Sequence, residues 1–167
     1  MQNQLRTYIK QNSHLVEKLI ARSEIIGLLL CLVGGVMVTQ RMPWSSDFII
    51  IGISVLTFVY AFHSNFLIEI FELKQRGSLV IALKISYLML AVTMVGILFR
   101  LQNWSGGTTI LMAGCGICGV LFLIFLYILF FGKSEDGQLR IIINNLIVRM
   151  LPVLLIVAFL VTIAIHG

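Results

Sequence analysis

The sequence predicts an all-α integral membrane protein, and three observations carry that reading. Of its 167 residues, 59% are hydrophobic and only 11% charged, whereas a soluble domain is roughly a quarter charged. Mean hydropathy is +1.04. Five apolar runs recur along the chain, most of them near the twenty or so residues that cross a bilayer as helix. The polar residues gather between those runs, in stretches too short to form a separate soluble domain.

Residues 1–23 come first, polar and basic, with Arg6, Lys10, Lys18 and Arg22. Leu5, Ile9, Leu15, Val16, Leu19 and Ile20 recur at roughly helical spacing, which predicts an amphipathic helix at the membrane surface. The segment is long for the charged region of a signal peptide, and no small-residue cleavage pattern follows, so it is expected to be retained. Residues 24–167 form a single helical membrane domain. Its first span, about 24–39, contains Gly27, Gly34 and Gly35, which permit close helix approach. Pro43 stops it in the turn Gln40-Arg41-Met42-Pro43-Trp44-Ser45-Ser46-Asp47.

The second span covers about 48–63, and Phe66 to Lys74 reads as an amphipathic continuation into the interface. Spans three and four, about 78–98 and 108–131, make a hairpin around Phe99-Arg100-Leu101-Gln102-Asn103-Trp104-Ser105-Gly106-Gly107. A fifth span is expected over 146–165, although Ile141-Ile142-Ile143 could begin a helix lying on the membrane.

Charge sets the expected orientation. The net charge of +5 arises from basic residues at span ends, where they meet anionic headgroups, and this argues against nucleic acid as a partner. Lys and Arg concentrate in the N-terminal segment, the Lys74/Arg76 loop and the Lys133/Arg140 loop; the alternate turns carry only Arg41 and Arg100. In a bacterial inner membrane this places the N-terminus in the cytoplasm, and the Trp44 and Trp104 turns and the C-terminus in the periplasm. Setting Trp44 on Trp104, sixty residues apart, also aligns Ser45 with Ser105 and Ile50 with Ile110. That alignment suggests a parallel repeat of two hairpins.

Phe99, Arg100, Trp104 and Gly106 resemble the turn of the transmembrane hairpin in the Bacteroidota gliding-motility protein L family, which typically reads Phe-Lys-x-x-His-Trp-Pro-Gly-Ala. The family's His, Pro and Ala fall on Asn103, Ser105 and Gly107. The likeness covers about forty residues, Met89 to Phe130, with a fainter match at Met42-Pro43-Trp44. Family members of this type belong to the inner-membrane motor of gliding and type IX secretion, and the likeness implies a place among small membrane proteins of those bacteria that carry related hairpins. The family's motor members carry a Glu in the helix after the turn, and Thr108 to Phe131 holds no acid. The large cytoplasmic extension of the motor subunit has no counterpart here either. A shared hairpin is therefore expected, more than a shared task.

Cys115 and Cys118 have the Cys-x-x-Cys spacing of thiol oxidoreductases, and a membrane thiol–quinone oxidoreductase is the enzymatic reading. Such enzymes usually exchange with a second cysteine pair, and only Cys31 remains. On a helix starting near Thr108, Cys115 lies about 11 Å deep. Packing is the preferred reading, since Gly114/Cys118 and Cys115/Gly119 are small-xxx-small pairs. Two charges lie inside spans, Lys84 and Arg149. A lysine near a span end can snorkel, or pair with Glu69 or Glu72. Arg149, beside Asn144 and Asn145, reads as an interfacial anchor, and His14 and His63 as interface residues. No metal-ligand cluster, phosphate loop or nucleophile–base pattern occurs, so no metal or cofactor is expected, quinone aside under the enzymatic reading. The leading expectation is a non-enzymatic structural or assembly subunit, with the bilayer and a second copy or partner membrane protein as contacts. A small transporter or channel is the third reading.

Overall fold

A computed structural model of the chain describes residues 2–70, 77–131 and 137–166. All regular structure among them is helical: α1 (Gln2–Gln11), α2 (Ser13–Thr39), α3 (Ser45–Ile70), α4 (Ser78–Leu101), α5 (Gly107–Phe131) and α6 (Gly137–His166). Four segments are long and apolar enough to cross a membrane: Ser13–Met37, Ser45–Leu67, Leu79–Leu101 and Gly107–Phe131. The all-α membrane architecture is thus present. The Lys74/Arg76 and Lys133 loop residues, and the side chains of Glu69 and Glu72 proposed as partners for Lys84, lie outside the described residues.

The first span differs from its expected limits. Helix α2 runs unbroken through Ser23 and Glu24, so Glu24 sits inside a helix rather than at its start. The basic N-terminal stretch is two helices, not one. Asn12 separates them, and its side-chain amide donates at 3.1 Å to the Tyr8 carbonyl, which also accepts from the Asn12 backbone amide at 3.0 Å. Ile9 of α1 is buried against the protein while Tyr8 is exposed, and Leu15 and Leu19, counted with it on one expected apolar face, are exposed on α2.

The second span also runs further than predicted. His63, Ser64 and Asn65 are turns of α3, which ends at Ile70. In α6 the Ile141-Ile142-Ile143 stretch is continuous with the predicted fifth span, and Pro152 lies within the helix. Ile143, Leu146, Met150 and Val153 form a buried stripe at helical spacing on α6.

The chain divides into two compact units, residues 1–91 and 92–167. Each contains one Trp-bearing turn, and the two turns have the same backbone. In the first, Arg41 has φ 54° and the Met42 amide reaches back to the Met37 carbonyl at 3.0 Å. In the second, Asn103 has φ 55° and the Trp104 amide reaches the Phe99 carbonyl at 2.9 Å. Both are helix stops in which a left-handed residue lets the next amide satisfy a carbonyl five residues back. Three residues on, Trp44 (φ 73°) and Gly106 (φ 84°) are left-handed too, and their carbonyls accept the first bonds of α3 and α5.

The equivalent positions lie sixty-two residues apart: Arg41 and Asn103, Trp44 and Gly106, and the helix starts Ser45 and Gly107. The tryptophan-on-tryptophan register of sixty is therefore off by two. Trp44 stands where the second turn has Gly106, and Trp104 where the first has Met42. Aromatic identity suggested one alignment; the helix stops fix another.

Candidate functional site

The seams inside the two hairpins repeat with the same offset, and glycine makes both. In the first hairpin, a methyl on Gly34 would fall 2.6 Å from Ile49 Cγ1, and one on Gly52 2.7 Å from Cys31 Sγ. In the second, a methyl on Gly96 would fall 2.7 Å from the Leu111 Cα, and one on Gly114 2.7 Å from Thr93 Oγ1. Gly34 corresponds to Gly96, Ile49 to Leu111, Gly52 to Gly114 and Cys31 to Thr93. Such separations leave no room for a side chain, so backbone meets backbone or a small residue at each level. Gly35, Gly116 and Gly119 have nothing within 4 Å of the same position. These glycines face outward.

That register explains Cys118. It is fully buried, with its Sγ 3.7 Å from Thr93 Oγ1, and it occupies the place that Leu56 fills in the first hairpin, against Gly27. Cys115 is half-buried, at the position of the buried Ile53. Both are free thiols. The Gly114/Cys118 pair is thus used inside the hairpin, as the packing reading expects. Cys115 and Gly119 are only partly covered.

The first unit also holds a polar cluster that composition did not reveal. The Tyr60 hydroxyl donates to Glu24 Oε1 at 3.2 Å, both residues being buried. One turn further along α3, His63 is buried and its ring stacks on Tyr87 of α4, centroids 4.6 Å apart and 11° from parallel. The next residue, Ser64, donates from Oγ to the Lys84 carbonyl at 2.9 Å. His63 is therefore packed between α3 and α4 inside the first unit. Its i, i+3 spacing from Tyr60 gave the only sequence signal, since both fall on one face of α3. Lys84 is half-buried. A carboxyl, a phenol and an imidazole so placed would be costly in hydrocarbon without partners, and two of the pairings are these.

The turns hold the remaining candidates. Trp44 is 71% and Trp104 56% exposed, as interfacial indoles are. Trp104 packs edge-on against Phe99, centroids 4.8 Å apart, and Arg100 Nη1 donates to Thr108 Oγ1 at 3.4 Å across the turn. Gly106 supplies the left-handed backbone, and Gly107 is buried with the Phe99 and Arg100 backbone beside it. Arg149 is half-buried in α6, beside exposed Asn144 and Asn145. Among the described residues no group of three His, Cys, Asp or Glu could hold a metal ion. No protein-family model, curated protein or solved structure matches this chain.

Proposed function

We propose that this protein is a non-enzymatic structural or assembly subunit of a bacterial inner membrane, working through helix–helix contacts. One observation carries the reading: several polar and small residues of the described spans join one helix to another. Glycine lines both seams, Ser64 and Tyr60 bridge helices, and Thr93 and Cys118 meet at the centre of a seam. The outward Gly116 and Gly119 leave the lipid-facing side of α5 open to a helix of a second copy or of a partner membrane protein.

The charge asymmetry supports a cytoplasmic N-terminus, periplasmic tryptophan turns and a periplasmic C-terminus if α6 crosses as a fifth span. The hairpin likeness supports a place among small membrane proteins of Bacteroidota that carry related hairpins, and the lack of an acid in Thr108 to Phe131 argues against motor activity. The thiol–quinone reading is weaker. Cys118 has no exposed surface, so attack on it requires Thr93 and Cys118 to part.

Cross-linking tests the proposal. In a variant lacking Cys31, Cys115 and Cys118, single cysteines at Gly116 and Gly119 should form disulfides between copies, or with a partner, under mild oxidation in native membranes. A cysteine at buried Leu111 should not. Monomer at every outward position, together with quinone-dependent thiol oxidation lost in Cys118→Ala, would instead establish the enzyme.

A further inference from the structure

Helix α6 carries two stripes with the same repeat. The inward one, Ile143, Leu146, Met150 and Val153, is buried. The outward one is Ile141, Asn144, Val148, Leu151 and Leu155, and every member is exposed. Its steps alternate between three and four residues, which keeps all five within about 80° of one another around the helix. These are the a and d positions of a heptad, the seam that a second helix covers in a coiled coil. Ile141, Val148 and Leu155 take the a positions, and Asn144 and Leu151 the d positions. β-Branched residues at a with leucine at d favour two parallel strands.

The asparagine distinguishes this stripe from a face that lipid alone covers. Asn12 and Asn65 each donate a side-chain amide to a carbonyl four residues back, those of Tyr8 and Ala61, at 3.1 and 3.0 Å. Asn144 has no such bond among the described residues, and hydrocarbon offers it none. It stands about 10 Å along α6 from Gly137, and beyond it the stripe continues in carbon for about 16 Å. A carboxamide carries both a donor and an acceptor, so two of them face to face satisfy each other. Copies of a membrane protein share one orientation, so their α6 helices run parallel and like levels meet across a twofold axis. Asn144 then meets Asn144, and the heptad meets itself.

We infer that a second copy of this chain docks on the outward face of α6, the two helices running parallel with their Asn144 side chains paired across the axis. The inference rests on the assembly reading above and names its partner and its face. The carbon positions supply the contact and the asparagine pair fixes the register, since sliding one helix by a heptad sets Asn144 against Leu151.

The test is cross-linking and energy transfer on the whole chain in liposomes. In a variant lacking Cys31, Cys115 and Cys118, Val148→Cys should give disulfide-linked dimers under mild oxidation, whereas Leu146→Cys, on the inward stripe, should not. Asn144→Leu should weaken dimerisation, read as energy transfer between labelled copies, by about threefold to thirtyfold. Asn144→Gln keeps the carboxamide and should weaken it less. Asn65→Leu, at an exposed asparagine already bonded within α3, should leave it unchanged. Undiminished dimerisation in Asn144→Leu would overturn the inference, as would a Val148→Cys chain that stays monomeric. Cross-links between copies at Gly116→Cys alone would keep the assembly reading and discard the α6 face, while monomer at both positions would count against the two together.

Discussion

Arg41 and Asn103 adopt the same left-handed backbone, at φ 54° and 55°, each one step before an amide that reaches five residues back to close its helix. An arginine meets there the steric penalty of its Cβ, about 1–2 kcal/mol, whereas asparagine tolerates the conformation better. Arg41→Gly should therefore stabilise the protein by up to about 1 kcal/mol, and Asn103→Gly by less. Gly106→Ala, at φ 84°, should destabilise it. Thermal unfolding in detergent reads all three, and a lower midpoint for Arg41→Gly would contradict the turn geometry.

The glycines divide into two classes. Gly52→Ala and Gly114→Ala each force a methyl to within 2.7 Å of a neighbouring side chain and should cost about 1–3 kcal/mol through overpacking. Gly35→Ala and Gly116→Ala meet nothing and should gain about 0.5–1 kcal/mol of helix stability. Equal effects in the two classes would mean that the seams are not where the structure puts them.

The thiols should differ in reactivity. A membrane-permeant maleimide should label half-buried Cys31 and Cys115 well before fully buried Cys118. Cys115→Ala should be nearly silent, while Cys118→Ala should lower stability by about 1–2 kcal/mol, because it leaves a gap beside Thr93. Single-cysteine variants followed by mass spectrometry give the order of labelling, and prompt labelling of Cys118 would show the seam open.

Topology is accessible by the same chemistry. Cysteines placed at Ser46 or Gly106 in a cysteine-free background should react with an impermeant maleimide in intact spheroplasts, and cysteines at Gln75 or Gly137 only after lysis. The reverse pattern would invert the orientation inferred from the lysine and arginine distribution.

The spans were legible because lipid and water sort residues so sharply that apolar runs such as Thr108 to Phe131 stand out without any knowledge of packing. Their ends were less so. Glu24 looked like a span start because an acid usually marks an edge, yet Tyr60, thirty-six residues away, supplies the hydrogen bond that lets it lie inside a helix. The stacking of His63 on Tyr87 was likewise invisible in the chain. Pairings across helices leave no local trace in the chain. The repeat was visible but misaligned, because two tryptophans draw the eye while the residues that set the register, Arg41 and Asn103, share no chemistry.

The glycine seam of the first hairpin also bears on how the chain is made. Gly34 meets Ile49, Cys31 meets Gly52, Gly27 meets Leu56 and Glu24 meets Tyr60, each pair wider in sequence than the last and each one level further from the Trp44 turn. Such nested pairs close in order, like a zip fastener starting at its closed end, and each closure adds only a few residues of loop. The pairs just named all precede the second turn in the chain, so this hairpin can assemble before the second one is complete. A nascent chain long enough for all of α3 to have cleared the ribosome, but stopped before α5 has emerged, should therefore already hold Tyr60 against Glu24.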